Sequence, residues 1–77
     1  MDGEKILRTF LKERFGNYRD TLAAEDPLDG VVDSLGLFEL VEFIEREFQI
    51  SVPTEEFSPR RFSSISVILN TIEELRV

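Results

Sequence analysis

Asp33 and Ser34 stand directly ahead of an apolar stripe studded with glutamates, in the stretch DGVVDSLGLFELVEFIE from Asp29 to Glu45. The chain contains no histidine and no cysteine, so the commonest general base, the strongest side-chain nucleophile and the usual zinc ligands are missing. Hydroxyls, carboxylates and lysines remain for any chemistry. Ser34 has two readings: a helix cap that accepts a backbone N–H, or the working hydroxyl of the protein. Asp29 and Asp33 as an acid–base pair would need a pocket to raise a pKa, whereas acids in an exposed loop stay ionised. Calcium binding through Asp26, Asp29 and Asp33 fails because DPLDGVVDS lacks alternating oxygen ligands and a closing glutamate. Neither a metal site nor an independent enzyme is expected.

These residues need helices to position them. Ile6, Leu7, Phe10, Leu11 and Phe15 repeat at helical spacing and predict a first helix over Glu4 to Phe15, capped by Asp2 and stopped by Gly16. Periodicity then fails, and the turn formers Asn17, Asp20, Asp26, Pro27, Asp29 and Gly30 mark a long ordered loop to Asp33. So long a loop needs anchors, which Leu22, Leu28, Val31 and Val32 supply. A second helix begins after Ser34 and reaches Phe48, with Leu37, Leu40, Val41, Ile44 and Phe48 in one buried arc. Its other face carries Leu35, Glu39, Glu42 and Arg46, with Phe38 and Glu45 beside them. Leu35 and Phe38 among glutamates have the character of a transient interface. SPRRF predicts a short turn of helix with Ser58 as cap and Pro59 in the first position. Ser64 then caps a last helix to Arg76, with Ile65, Ile68, Leu69, Ile72 and Leu75 buried. The expected fold is all-α, a small four-helix bundle of three longer helices and one short one.

At 77 residues the chain suits a single domain, 1–77, near the lower limit for a core without metal or disulfides. It has no signal-peptide pattern and no run long enough to span a membrane, so a cytoplasmic monomer is expected. Net charge is −7, and it is unevenly placed: residues 1–25 are balanced, residues 26–56 carry nine acids against Arg46 alone, and the remainder sums to +1. Such a field repels nucleic acid and anionic lipid and steers the chain toward a basic partner.

The string DSLGLFELVEFIEREFQISVP resembles the central motif of acyl and peptidyl carrier proteins, in which Asp-Ser-Leu opens the second helix, a glutamate-rich helix follows, and an apolar-Pro segment ends it. The resemblance implies the acyl carrier fold. It also implies 4'-phosphopantetheine as a covalent cofactor on Ser34, with Asp33 as the adjacent acid used in its transfer, and Leu35, Phe38, Glu39, Glu42 and Glu45 as the docking face. Implied partners are a phosphopantetheinyl transferase, an adenylate-forming acyl or aminoacyl ligase, and downstream acyl-processing enzymes with basic docking surfaces. The spacing GVVDS, with Gly30 three residues before Asp33, and the segment PTEEFSPRRFSS are closest to stand-alone carriers such as D-alanyl carrier protein. The lack of cysteine suits such a role, since no protein thiol competes for the acyl group. A Phe-rich core of this size leaves little room between helices, so short or polar cargo is expected. The rival expectation is an unmodified acidic helical adaptor that binds a basic partner through Leu35, Phe38, Glu39 and Glu42, with Ser34 only a cap.

Overall fold

Three α-helices carry the fold of this computed structural model, which describes residues 2–76. Helix α1 spans Gly3–Arg14, and the Asp2 carboxylate caps it by accepting the N–H groups of Glu4 at 3.1 Å and Lys5 at 3.3 Å. It ends one residue earlier than the apolar spacing predicts, because Phe15 is already extended at φ −126°. Helix α2 spans Ser34–Phe48 and ends at Gln49, which adopts the left-handed conformation at φ 56° and returns its N–H to the Glu45 carbonyl. Helix α3 spans Ile65–Leu75, with the expected cap: the Ser64 hydroxyl accepts the Val67 N–H at 3.1 Å.

No fourth α-helix forms in the described residues. Residues between α2 and α3 instead make two short 3-10 turns, Thr54–Glu56 and Pro59–Phe62. Pro53 and Pro59 lack the N–H that a longer helix would use there, and so few residues cannot repay helix nucleation. Pro59 opens the second turn as expected, but the Ser58 side chain makes no capping hydrogen bond. Arg61 ties the segment down instead. Its Nε lies 2.8 Å from Glu56 Oε1, as an ion pair without hydrogen-bond alignment, and its Nη2 reaches Glu74 on α3. Buried Thr71 adds a second tie, with its hydroxyl 2.9 Å from both the Arg61 and Val67 carbonyl oxygens.

The core lies where the three stripes meet. Leu7, Phe10 and Leu11 of α1, Leu40, Val41, Ile44 and Phe48 of α2, and Ile65, Ile68 and Ile72 of α3 are buried together with Tyr18, Leu28 and Phe62. Phe15, Leu37 and Leu69 are only partly buried at the edge of this cluster. Of the expected loop anchors, Leu28 is fully enclosed, and Leu22, Val31 and Val32 pack against the core while remaining half-exposed. Tyr18 is an anchor that the loss of periodicity hid: its ring is buried and its hydroxyl accepts from Arg8 Nη1 at 3.1 Å. Backbone bonds complete the attachment, with Leu28 N–H on Ser63 O at 2.8 Å and Ser66 N–H on Ala24 O at 2.9 Å. The loop is thereby pinned to the start of α3. No described helix is long and apolar enough to cross a membrane.

Ile68 has no exposed surface and belongs to the core cluster to which all three helices contribute. Replacing it in Ile68→Ala leaves a cavity that the small core cannot close. Denaturant unfolding of the variant is expected to show a loss of about 2–5 kcal/mol, and a loss below 1 kcal/mol would contradict this placement of the core.

Candidate functional site

The N-terminus of α2 is built by a tight turn. Both Val31 and Val32 donate their N–H groups to the Leu28 carbonyl, at 2.9 and 2.8 Å, and this delivers Asp33 to the helix start in extended conformation. Asp33 Oδ1 then accepts the Gly36 N–H at 2.7 Å, and the Asp33 carbonyl accepts from Leu37 at 2.9 Å. Asp33 is therefore the cap. Ser34 is the first residue of the helix, exposed, and its hydroxyl makes no hydrogen bond within the described residues. The expectation of Ser34 as a cap gives way because the carboxylate one position earlier already satisfies the orphan donor.

Gly36 is buried beneath Phe15. A Cβ on it would stand 2.6 Å from Phe15 Cε1 and 3.1 Å from Asp33 Oδ1, so only glycine lets the ring of Phe15 close over this turn of α2. Phe15 in turn meets Phe10 edge-on, with centroids 5.9 Å apart. The start of α2 is thus held by α1 on one side and by the loop on the other.

The expected docking residues fare unequally. Leu35 and Phe38 are 76% and 60% exposed, so the apolar centre of the face is in place. Phe38 leans on Phe57, at 4.9 Å between centroids, which extends the apolar surface onto the segment after α2. Phe57 carries no periodic signal and was not legible from sequence spacing. Glu42 is exposed and has no ion pair among the described residues. Glu39, by contrast, pairs with Arg14 at 2.6 Å, and this hydrogen bond raises the Arg14 guanidinium above its ordinary pKa. Glu45 is half-buried and its Oε2 accepts the Val52 N–H at 2.8 Å. Two of the three acids therefore have structural work, and Glu42 is the free one.

Beside Ser34 lies a groove of about 740 Å³ between the loop, α2 and the second 3-10 turn, walled by Leu28, Val32, Leu37, Phe38 and Phe62, with Asp29, Asp33 and Arg60 at its edges. No cluster of acids among the described residues has the makings of a metal site. These residues fit a phosphopantetheine arm: an uncommitted hydroxyl for the ester, the positive end of a helix dipole for the phosphodiester, an apolar groove with polar edges alongside, and no cysteine to compete with the thiol at the end of the arm.

No family model matches the chain. It is 32% identical over 76 residues to the D-alanyl carrier protein of Streptococcus suis, across 97% of this chain and 96% of that protein. Against the D-alanyl carrier protein of Streptococcus mutans it is 34% identical over 77 residues, across 99% and 98%. The chain belongs to the acyl carrier protein family. A more distant relative of this carrier is the probable acyl carrier protein PigG of Serratia, 24% identical over 74 residues and matched across 94% of this chain and 85% of its own length.

Capping by Asp33 separates the roles of the two neighbours in this carrier. Asp33→Ala is expected to lower the unfolding free energy by about 1 kcal/mol, and Ser34→Ala to change it by no more than about 0.5 kcal/mol. Chemical denaturation of both variants checks this, and the reverse order would return the cap to Ser34.

Proposed function

We propose that this carrier holds an acyl or aminoacyl group on a 4'-phosphopantetheine arm attached to Ser34 and shuttles it between a ligase and acyl-processing enzymes. The observation that carries the reading is the state of Ser34: exposed, first in its helix, and relieved of capping by Asp33. An adaptor without modification would leave that hydroxyl with no task. When attached, the arm supplies a terminal thiol on which cargo rides as a thioester. The chain's own residues do the rest. Ser34 Oγ provides the point of attachment, and the N-terminal turn of α2 favours the negative charge placed there. Asp33 keeps that turn closed with one oxygen, and its exposure leaves it beside the hydroxyl as the acid for the transfer step.

Partners dock through Leu35 and Phe38, with Glu42 as the free acid of the rim and Glu39 available by exchange of Arg14 for a partner's base. A small apolar centre with a charged rim gives fast, salt-sensitive and weak encounters. Weak binding suits a shuttle that must leave. Short or polar cargo fits best, because the room beside Ser34 is a surface groove bordered by charged side chains.

Intact-mass spectrometry after incubation with coenzyme A, magnesium and a broad-specificity phosphopantetheinyl transferase tests the attachment. One added phosphopantetheinyl mass is expected, and none on Ser34→Ala. An unmodified but folded wild-type chain, with several transferases tried, would sink the reading and leave the acidic adaptor.

The same assay tests the docking face. Leu35→Ala combined with Phe38→Ala is expected to lower the transferase kcat/KM about tenfold, the equivalent of roughly 1.4 kcal/mol of lost contact. Glu42→Gln should flatten its salt dependence. Unchanged kinetics in the double variant would move the docking surface elsewhere.

A further inference from the structure

Arg60 and Ser34 border the same groove from different elements, Ser34 from α2 and Arg60 from the second 3-10 turn. The groove's volume of about 740 Å³ falls in the range of roughly 300–1,000 Å³ that holds small organic ligands. Arg60 is the one cation among the described side chains that line it. It is exposed and has no ion pair within the described residues, whereas its neighbour Arg61 is committed to Glu56 and Glu74. Asp29 and Asp33 share the groove with it, so a phosphodiester on Ser34 adds a third anion beside a single guanidinium.

We propose that Arg60 is the positioning residue of the arm: its guanidinium pairs with the phosphodiester on Ser34 and turns the arm into the groove, over Val32, Leu37 and Phe62. This inference rests on Ser34 being the attachment residue. A guanidinium is permanently charged and presents parallel N–H donors that match two phosphate oxygens. The remaining lining is largely apolar and suits the methyl and methylene portion of the arm, while Ser63 and Asp29 at the edges offer partners for its amides. An exposed pair of this kind is weak and screened by salt. The arm is therefore parked rather than locked, and it leaves when a partner's basic surface takes over the phosphate.

The test uses isotope-labelled carrier converted by the transferase, with the added mass verified first, and NMR spectra of the apo and holo forms compared. The expected result is a set of holo-dependent shifts at Val32, Leu37 and Phe62, in addition to those at Ser34 itself. These distal shifts should be lost in Arg60→Gln, retained in part in Arg60→Lys, and lost from the wild-type protein in high salt. The phosphorus-31 resonance of the arm should move in parallel. Distal shifts that persist unchanged in Arg60→Gln, or that never arise in modified wild-type protein, overturn the role of Arg60 while Ser34 stands as the attachment residue. An unmodifiable wild-type chain overturns both. Should Arg60→Gln fail to fold by circular dichroism, the salt titration of the wild-type holo form decides: shifts that resist salt count against the pairing.

Discussion

A single hydrogen bond, from the Gly36 N–H to Asp33 Oδ1 at 2.7 Å, organises the functional end of this molecule. It satisfies one of the donors that every helix start leaves open, and it does so from the residue before Ser34. The serine is thereby drawn into the first turn of α2, exposed and with its hydroxyl unpaired among the described residues. The bond depends on its surroundings in turn. Phe15 closes over Gly36 so tightly that no Cβ fits between them, and the turn on the Leu28 carbonyl fixes the approach of the chain to Asp33. A cap worth about 1 kcal/mol would be a minor feature of a large protein. In a domain this small it decides which of two adjacent side chains caps the helix and which stays uncommitted.

The long loop accomplishes more than connection. Because Leu28 donates to Ser63 and Ser66 donates to Ala24, the loop is pinned to the residues that open α3. The 3-10 turn just before them carries Arg60 and Phe62, so the same pinning brings that turn to the groove that Ser34 also lines. Ser34, apolar wall and cation come from three stretches of chain that have no neighbourhood in sequence.

Charge is divided with similar economy. The acidic segment around α2 carries more negative charge than the chain's whole net excess, yet its acids are not equivalent. Glu45 holds the strand of chain leaving α2 through the Val52 N–H, and Glu39 bridges α2 to α1 through Arg14. The exposed surface without internal commitments is narrower than the run of glutamates implies, centred on Leu35 and Phe38 with Glu42 beside them and Phe57 extending it.

Much of this was legible in the residues themselves. Helical spacing located α1, α2 and α3 within a residue or so at most ends, and the caps Asp2 and Ser64 were read correctly, because periodic burial and side-chain capping are local properties of the chain. The exposed pair Leu35 and Phe38 followed from the same angular arithmetic, and the Asp-Ser-Leu motif with its glutamate-rich helix pointed to the carrier family that the relatives support. Local spacing could not choose between Asp33 and Ser34 as the cap, since either side chain reaches the open N–H groups. It placed the turn that Pro59 opens but counted it as a fourth helix and gave it a Ser58 cap that does not form; two 3-10 turns stand there, since the two prolines and the shortness of the segment leave no room for an α-helix, and Arg61 ties them to α3 through Glu74. Tyr18, Phe57 and Arg60 were likewise silent, for their roles exist only once distant stretches of chain meet. Residue spacing alone was enough for the helices, the acidic segment and the position of Ser34 at the start of α2; which acids are unpaired, what caps α2 and what shares the groove with Ser34 depend on contacts between elements and emerge only in the folded chain.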